Sequence, residues 1–220
     1  MDQITIGGRP FYFRNGTSDS LILSKLLPDG VPEYAWPSDV KPAVIWDLGA
    51  NIGVISMQLA HVFPDATIYA VEPELENFRL LTINTEHMPN IKRFHMGLGA
   101  SNETVTLYKS INPTNYGGYT HVIHDGIPAC QFDKKTPEEF MYISESGQPD
   151  IIKMDVEGAE VEIIDSIPDQ VISRVKWIAG EMHGVDDGRV LARLQRFFDL
   201  KFEKRFGDPN WQFHGKNRSL

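Results

Sequence analysis

The chain has 220 residues, which is enough for one sizeable α/β domain with its own hydrophobic core. Its formal net charge of -9 disfavours a nucleic-acid backbone as partner, because binding to phosphates requires a basic surface. The single cysteine, Cys130, excludes an internal disulfide. We find neither a signal-peptide pattern nor an apolar segment long enough to cross a bilayer, and therefore expect a cytoplasmic protein with no membrane partner.

Residues 1–42 are predicted to form an N-terminal extension that packs on the main domain. Apolar and polar residues alternate over 1–14 around a Gly7-Gly8 turn, which predicts a β-hairpin. Thr17 or Ser18 then caps a predicted short helix with apolar residues at Leu21, Leu23 and Leu26. The proline-rich stretch 28–42 is predicted to be a loop that leads into the domain.

Residues 43–220 are predicted to form the main domain, because strands and helices alternate along them. The predicted strands are 44–46, 67–71, 91–96, 104–108, 150–154 and 175–179, with two more near 202 and at 211–213. The predicted helices are 52–62, one from 73 to about 81, 137–144, 159–166 and 187–200. This pattern favours a mostly parallel sheet covered on both faces, which binds ligands beyond the carboxyl ends of its strands.

The segment 109–149 lacks a clear rhythm of strands and helices. Long connections of this kind are usually functional loops, so we interpret the segment as a substrate or lid insertion. We expect residues 110–124 to line the cleft beside the ligand. His121 and His124 lie in this part of the chain but are weak candidates for a chemical role.

The first motif, Asp47-Leu48-Gly49-Ala50-Asn51-Ile52-Gly53, lies between a predicted strand and a helix. It fails the dinucleotide fingerprint, because asparagine and valine occupy the second and third glycine positions, and it lacks the lysine of a phosphate-binding loop. An acid at the strand end repels a pyrophosphate but suits a cationic group, such as the amino-acid part of S-adenosylmethionine. The alternative is a tight turn in which Asp47 is only a cap.

The second motif is Glu72, at the end of the next predicted strand. An acid about 20 residues after a glycine-rich turn can accept hydrogen bonds from ribose hydroxyls. A solvated acid at a strand end is the alternative interpretation.

The third motif is the block from Asp150 to Glu160, DIIKMDVEGAE, in which Asp155 and Glu157 follow a strand end. These two acids are placed to touch the substrate or the methyl donor. Glu160 and Glu162 lie in the first turn of the next helix, and we expect them only to interact with the helix dipole.

A fourth motif, Glu181-Met182-His183, follows the next strand and borders the same predicted cleft. A histidine can take a proton near neutral pH, although a lone histidine is more often an ordinary hydrogen-bonded residue. Asp155, Glu157, Glu181 and His183 offer ligand types for a divalent ion, but their spacing does not demand one, and we predict no metal.

Together these blocks resemble the FkbM-type methyltransferases, a branch of the class I S-adenosylmethionine-dependent enzymes. The resemblance rests on DLGANIG, VEPE and DIIKMDVEGAE, with a weaker likeness at 16–19, and it spans roughly residues 14 to 183. It implies a Rossmann-like, doubly wound, three-layer fold with a seven-stranded sheet, one strand of which is antiparallel near the edge. It also implies O-methylation of a hydroxyl, often on sugars or natural products. By position, the cofactor residues are Asp47, Gly49, Asn51, Gly53 and Glu72, and the active-site candidates are Asp155 and Glu157.

The predicted reaction is an in-line displacement, in which a hydroxyl of a small-molecule acceptor attacks the methyl of S-adenosylmethionine. Our hypothesis is that His183 or Asp155 accepts the hydroxyl proton and that Glu157 orients the acceptor. Three alternatives stay open: a nucleotide-dependent oxidoreductase, a non-catalytic module that binds the cofactor, and a methyltransferase that acts on RNA or protein. The sequence does not indicate the acceptor or the oligomeric state.

Overall fold

The computed structural model describes residues 1–23, 33–109, 117–121, 126–184, 186–204 and 210–220. In chain order the strands are β1 (Asp2–Ile6), β2 (Arg9–Phe13), β3 (Val44–Leu48), β4 (Thr67–Val71), β5 (Ile91–Phe94), β6 (Gly97–Leu98), β7 (Glu103–Lys109), β8 (Tyr119–Thr120), β9 (Ile127–Lys135), β10 (Ile151–Met154), β11 (Trp177–Met182), β12 (Phe198–Glu203) and β13 (Trp211–Asn217). The helices are α1 (Ser18–Leu23), α2 (Val54–Val62), α3 (Leu75–Thr85), α4 (Pro137–Ser144), α5 (Glu160–Ser166), α6 (Asp169–Ile172) and α7 (Asp187–Leu194). None of these described helices is long and apolar enough to cross a bilayer.

The large sheet has seven strands in the order β12-β13-β11-β10-β3-β4-β5. Neighbouring strands from β11 to β5 are parallel, whereas β13 is antiparallel to both β11 and β12. The chain order reverses beside β3, because β10 pairs with one edge of this strand and β4 with the other. The predicted fold class is confirmed, including the single antiparallel strand near the edge.

Two hydrophobic clusters cover the two faces of this sheet. Successive strand residues point to opposite faces, and on β3 Ile45 packs in one cluster while Trp46 packs in the other. Helices α2 and α3 contribute to the cluster of Ile45, and α4, α5, α6 and α7 contribute to that of Trp46. The result is a three-layer arrangement with its ligand-binding edge at the carboxyl ends of β3, β4, β10 and β11.

The N-terminal hairpin β1-β2 packs against α3. Phe11 is buried in the cluster of Ile45, and Asn84 on α3 pairs with the backbone of Tyr12. The Asn84 Oδ1 accepts from the Tyr12 N–H at 2.7 Å, and its Nδ2 donates to the Tyr12 carbonyl at 3.0 Å. The predicted helix is present as α1, although Leu26 lies outside the described residues.

A second sheet includes two strands, β8 and β9, from the segment 109–149, in which we found no clear rhythm of strands and helices. Its four strands follow the order β6-β9-β7-β8, and β7 corresponds to the predicted strand 104–108. The nine-residue strand β9 was not predicted, because IPACQFDKK has no apolar alternation and only Phe132 and Lys134 along it are buried. His124 and residues 110–116 lie outside the described part of the chain.

One predicted helix was too long. Helix α7 ends at Leu194, and β12 begins at Phe198, so the prediction of a helix over 187–200 was wrong for its last six residues. Phe197 and Phe198 continue the helical spacing of Val190 and Leu194, which explains the error.

Candidate functional site

A cavity of about 450 Å³ opens at the carboxyl ends of β3, β4 and β10. This volume lies within the range of pockets that bind small molecules and cofactors. Its wall includes Gly49, Asn51, Glu72, Asp155 and Glu157 from the sequence motifs. Three other predicted site residues, Asp47, Gly53 and His183, do not line it and lie behind this wall.

The turn after β3 brings its backbone very close to the turn after β10. Gly49 has φ +75°, and a Cβ at this position would lie 1.8 Å from the backbone oxygen of Asp155. Asn51 also adopts a left-handed conformation, with φ 50°, and Gly53 has φ 98° at the N-cap of α2. The glycines are therefore required by geometry, and the turn presents Asn51 to the cavity.

Asp47 is fully buried and is engaged by protein groups. Its Oδ2 accepts a hydrogen bond of 2.5 Å from the Ser56 hydroxyl, and its Oδ1 lies 3.1 Å from the Lys153 ammonium. Lys153 also donates to the carbonyl oxygen of Gly49 at 2.7 Å. The carboxylate therefore anchors the lysine that holds the turn, and the expected contact of Asp47 with the cofactor stays a prediction.

Lys153 was missed by the sequence analysis, although a signal was available. It pairs directly with Asp47 in the register of β10 against β3. A lysine and an aspartate that face each other on adjacent buried strands form an ion pair that compensates both charges.

Glu72 lies at the end of β4 with both carboxylate oxygens accepting backbone N–H groups. Oε2 accepts from Asn51 at 2.8 Å, and Oε1 accepts from Glu74 at 2.8 Å. Burial raises the pKa of Glu72 from 4.5 to about 7, and the two hydrogen bonds only partly offset this. A buried carboxylate at the cavity wall can accept hydrogen bonds from ribose hydroxyls, and this role of Glu72 stays a prediction.

The N-terminal extension reaches this carboxylate through a chain of side chains. Arg14 forms an ion pair with buried Asp19 at 2.8 Å and donates a hydrogen bond of 2.6 Å to the Asn77 Oδ1. The Asn77 side chain in turn hydrogen-bonds Glu72 and lowers its pKa. Asn77 was missed because nothing in its local sequence distinguishes it from other polar residues of a helix.

The turn after β10 carries the two acids of the third motif. Glu157 has φ 53° and is followed by Gly158 with φ 101°, so two consecutive left-handed residues turn the chain toward α5. Burial is the largest cause that raises the pKa of Glu157, to about 8. Asp155 accepts a hydrogen bond of 3.2 Å from the hydroxyl of Tyr34, a buried residue of the predicted loop.

His183 follows β11 and is surrounded by acids. Its Nδ1 lies 2.7 Å from the Glu160 Oε1, and its Nε2 lies 3.6 Å from carboxylate oxygens of Asp155 and Glu157 and 3.7 Å from one of Glu181. Burial lowers the pKa of His183, but the hydrogen bond to Glu160 and the surrounding carboxylates outweigh this and raise it to about 10. These carboxylates stabilise the protonated ring, which cannot accept a proton, and the role of His183 as a base stays a prediction from the sequence.

Two acids that we expected only to face the helix dipole have specific partners. Glu160 is fully buried and holds the His183 ring. Glu162 binds His121 at 2.9 Å and Lys134 at 2.6 Å, and these contacts lower the pKa of Glu162 to about 2 although burial opposes them. Of the segment expected beside the cleft, Gly117, Tyr119 and His121 line the cavity.

The comparisons with known proteins agree with this architecture. The profile of the family described as methyltransferase FkbM domain matches residues 47–204, well over half of the chain. A hexuronic acid methyltransferase of Haloferax volcanii, AglP, is 28% identical over 152 residues, which cover 69% of this chain and 60% of that protein. The AMB antimetabolite synthetase AmbE of Pseudomonas aeruginosa is 27% identical over 194 residues, covering 72% of this chain and 9% of that protein.

Among solved structures, the fibrillarin pre-rRNA processing protein of Methanococcus jannaschii is similar in fold, with a TM-score of 0.52 and 17% identity. The match covers 98% of this chain and 82% of that chain, and it supports the fold alone. The chain matches less than two thirds of the length of the two curated relatives. From the family match and the fold, this chain belongs to the FkbM methyltransferase domain family, and its cofactor is S-adenosylmethionine.

Proposed function

We propose that this protein transfers the methyl group of S-adenosylmethionine to a hydroxyl of a neutral, polyhydroxylated small molecule such as a glycoside. The observation that carries the proposal is the pair Asp155 and Glu157 at the wall of the cavity, within the block that follows β10. The turn from Gly49 to Gly53 and the carboxylate of Glu72 supply the cofactor half of the same cavity. The relative AglP, named as a hexuronic acid methyltransferase, supports a sugar scaffold for the acceptor, although the charges along the cavity favour a neutral sugar over a uronic acid.

The charges along the cavity favour a neutral acceptor. Its described wall contains Glu33, Glu72, Asp155, Glu157 and Glu181. Lys153, the one lysine or arginine of that described wall, is paired with Asp47. A carboxylate or phosphate group would therefore meet mainly like charge, which argues against RNA and against an acidic sugar.

The chemistry requires alignment and removal of one proton. The acceptor oxygen forms a bond to the methyl carbon as the carbon–sulfur bond breaks, and that electron pair stays on sulfur in S-adenosylhomocysteine. The hydroxyl proton passes to a carboxylate of the site, for which Asp155 is the candidate, and Glu157, whose pKa is raised to about 8 by burial, orients the acceptor beside it. Because the methyl donor is already activated, binding and orientation of the two substrates in the cavity supply most of the rate enhancement.

The test is transfer of a labelled methyl group by the full chain. The protein is incubated with methyl-labelled S-adenosylmethionine in three separate reactions. These contain a panel of neutral methyl glycosides, a panel of uronic acids and a short structured RNA. We expect label in the glycosides as methyl ethers, identified by mass spectrometry. Label confined to the RNA, or to the carboxyl groups of uronic acids, would contradict the proposal.

A matched pair of variants tests the role of Asp155 in proton removal. Asp155→Asn keeps the size of the side chain, and we expect turnover to fall by about 100-fold or more, in the range of general acid–base effects. Binding of S-adenosylhomocysteine should change only a few-fold. Glu76→Gln, at an exposed position of α3, serves as the control and should keep normal turnover.

A further inference from the structure

The Nε2 atom of His183 has no hydrogen-bond partner, although the side chain is only 8% exposed. It faces Asp155 Oδ1 and Glu157 Oε2 at 3.6 Å and Glu181 Oε2 at 3.7 Å. These separations are too long for N–H···O hydrogen bonds, which lie near 2.9 Å. A buried nitrogen among three oxygens that it does not bond calls for another partner.

The spacing of these atoms suits a cation between them. Ligand atoms at about 2.1 Å from a metal ion lie roughly 3.0 to 3.4 Å apart, slightly closer than the separations found here. The chosen ligand atoms of Asp155, Glu181 and His183 all lie within 4.8 Å of one another. A small inward movement of the side chains therefore brings them to coordination distance.

The other ring nitrogen of His183 is oriented in the manner of metal ligands. Nδ1 is bonded to the buried carboxylate of Glu160 at 2.7 Å. Metal-ligating histidines usually donate this second N–H to a carboxylate or carbonyl, which fixes the ring and aims the first nitrogen at the ion. Glu181 is oriented as well, since its two oxygens accept from the amides of Gln212 and Asn210 at 2.9 and 3.3 Å.

The charge and the accessibility of the cluster formed by His183 and the four carboxylates around it also favour a bound cation. Four carboxylates surround one imidazole, so the cluster stays anionic even when His183 is protonated. Asp155 and Glu157 are 26% and 31% exposed, and both line the cavity. A cation held here would be reachable from the cavity.

We propose that Asp155, Glu181 and His183 bind a divalent cation at the floor of the cavity, with Glu157 beside it and Glu160 orienting the histidine. One imidazole with carboxylate oxygens is a mixed donor set that suits a first-row ion such as Mn²⁺. This replaces our expectation from the sequence that the site uses no metal.

The function of the ion follows only if the proposed methyl transfer is correct. A cation held by Asp155, Glu181 and His183 would bind the acceptor hydroxyl oxygen and lower the pKa of that hydroxyl. The hydroxyl proton would pass to water or to a neighbouring carboxylate, and the oxygen would form its bond to the methyl carbon as the carbon–sulfur bond breaks and its electron pair stays on sulfur. The cation would also fix which hydroxyl of the acceptor faces the sulfonium.

The test measures metal binding by the full chain without cofactor or acceptor. After dialysis against EDTA, Mn²⁺ is titrated and followed by loss of the free-ion EPR signal. Co²⁺ is titrated in parallel, because its visible absorption reports imidazole ligation. We expect one Mn²⁺ per chain with a micromolar dissociation constant, and a melting temperature that rises with Mn²⁺ concentration.

Variants assign the ligands. His183→Ala and Glu181→Gln should each weaken Mn²⁺ binding at least tenfold. If His183→Ala does not fold, Glu181→Gln, which keeps the side-chain shape, decides the question. His121→Ala is the matched control and should bind Mn²⁺ normally, since His121 also lines the cavity and contacts a glutamate, Glu162, but lies outside the cluster.

Absence of stoichiometric binding, or equal binding by both ligand variants and wild type, overturns the metal site. Calorimetry with S-adenosylhomocysteine separates this outcome from failure of the proposed function. A chain that binds S-adenosylhomocysteine and methylates glycosides but binds no Mn²⁺ contradicts only the metal site. A chain that loses Mn²⁺ in the ligand variants but methylates no hydroxyl supports the metal site and contradicts only the proposed reaction.

Discussion

Replacement of Glu72 by glutamine should stabilise the empty protein and weaken its binding of the cofactor. Burial raises the pKa of Glu72 from 4.5 to about 7. The stabilisation that comes from its protonated form is therefore complete below about pH 4.5 and is lost as the pH rises through about 7. This difference in pKa corresponds to about 3 kcal/mol, which the ionised carboxylate costs the folded state at pH 8.

Glutamine resembles the protonated side chain, so Glu72→Gln should recover most of this free energy at pH 8. For a chain of this size, about 3 kcal/mol corresponds to a rise in melting temperature of roughly 6 to 12 °C. At about pH 4 the variant and the wild type should melt at similar temperatures. Glu76→Gln, whose side chain is exposed, is the control and should change little.

The effect on cofactor binding should have the opposite sign. Two ribose hydroxyls that donate to a charged carboxylate contribute about 1.5 kcal/mol each, so Glu72→Gln should weaken binding of S-adenosylhomocysteine by about 100-fold. In the wild type this affinity should rise between about pH 6 and 8, because Glu72 ionises in this range. The charged groups beside it are Glu74, which raises the pKa of Glu72, and Lys153. The rise should be absent in the variant. Calorimetry measures the affinity for S-adenosylhomocysteine in both proteins and its dependence on pH. A variant that is destabilised at pH 8, or that binds S-adenosylhomocysteine normally, would refute the reasoning.

Two further predictions concern the turn after β3. Gly49→Ala should prevent folding or abolish cofactor binding, because its Cβ would overlap the Asp155 backbone oxygen. The control is Gly147→Ala, which has a similar φ of +66° with open space around it and should cost only about 1 to 2 kcal/mol. Denaturant unfolding compares the stabilities of the two variants. Lys153→Met should cost about 3 to 5 kcal/mol by leaving Asp47 buried and uncompensated, and addition of Asp47→Asn should restore part of this in a double-mutant cycle. Equal losses in the single and double variants would contradict the second prediction.

The central sheet was predictable because its strands are short apolar runs separated by turn residues and helical patterns. The boundary between α7 and β12 was not, since Phe197 and Phe198 satisfy helical spacing while the chain at Phe198 pairs with Asn217 of β13. Strand β9 was missed for a related reason. Its polar residues are stabilised by pairing with β7, a contact between segments that local patterns do not contain.

The acids of the site were predictable because parallel strands place their carboxyl ends at one edge of the sheet. Their roles were not, because these depend on contacts between residues far apart in sequence. Tyr34 reaches Asp155 across 121 residues, and Glu160 orients a histidine 23 residues away. The proposal that His183 binds a cation rests on the arrangement of four acids around its ring, which the sequence does not contain.

Both sheets contribute to the wall of the cavity. The turns that follow strands of the large sheet supply the proposed cofactor residues Gly49, Asn51 and Glu72, whereas β6, β7, β8 and β9 supply Leu98, Leu107, Tyr119 and Phe132. The small sheet is fastened to α5 through Lys134 and Glu162. We therefore expect that residues of β7, β8 and β9 can be exchanged to change the acceptor without disturbing the proposed cofactor residues, provided that the ion pair between Lys134 and Glu162 is kept.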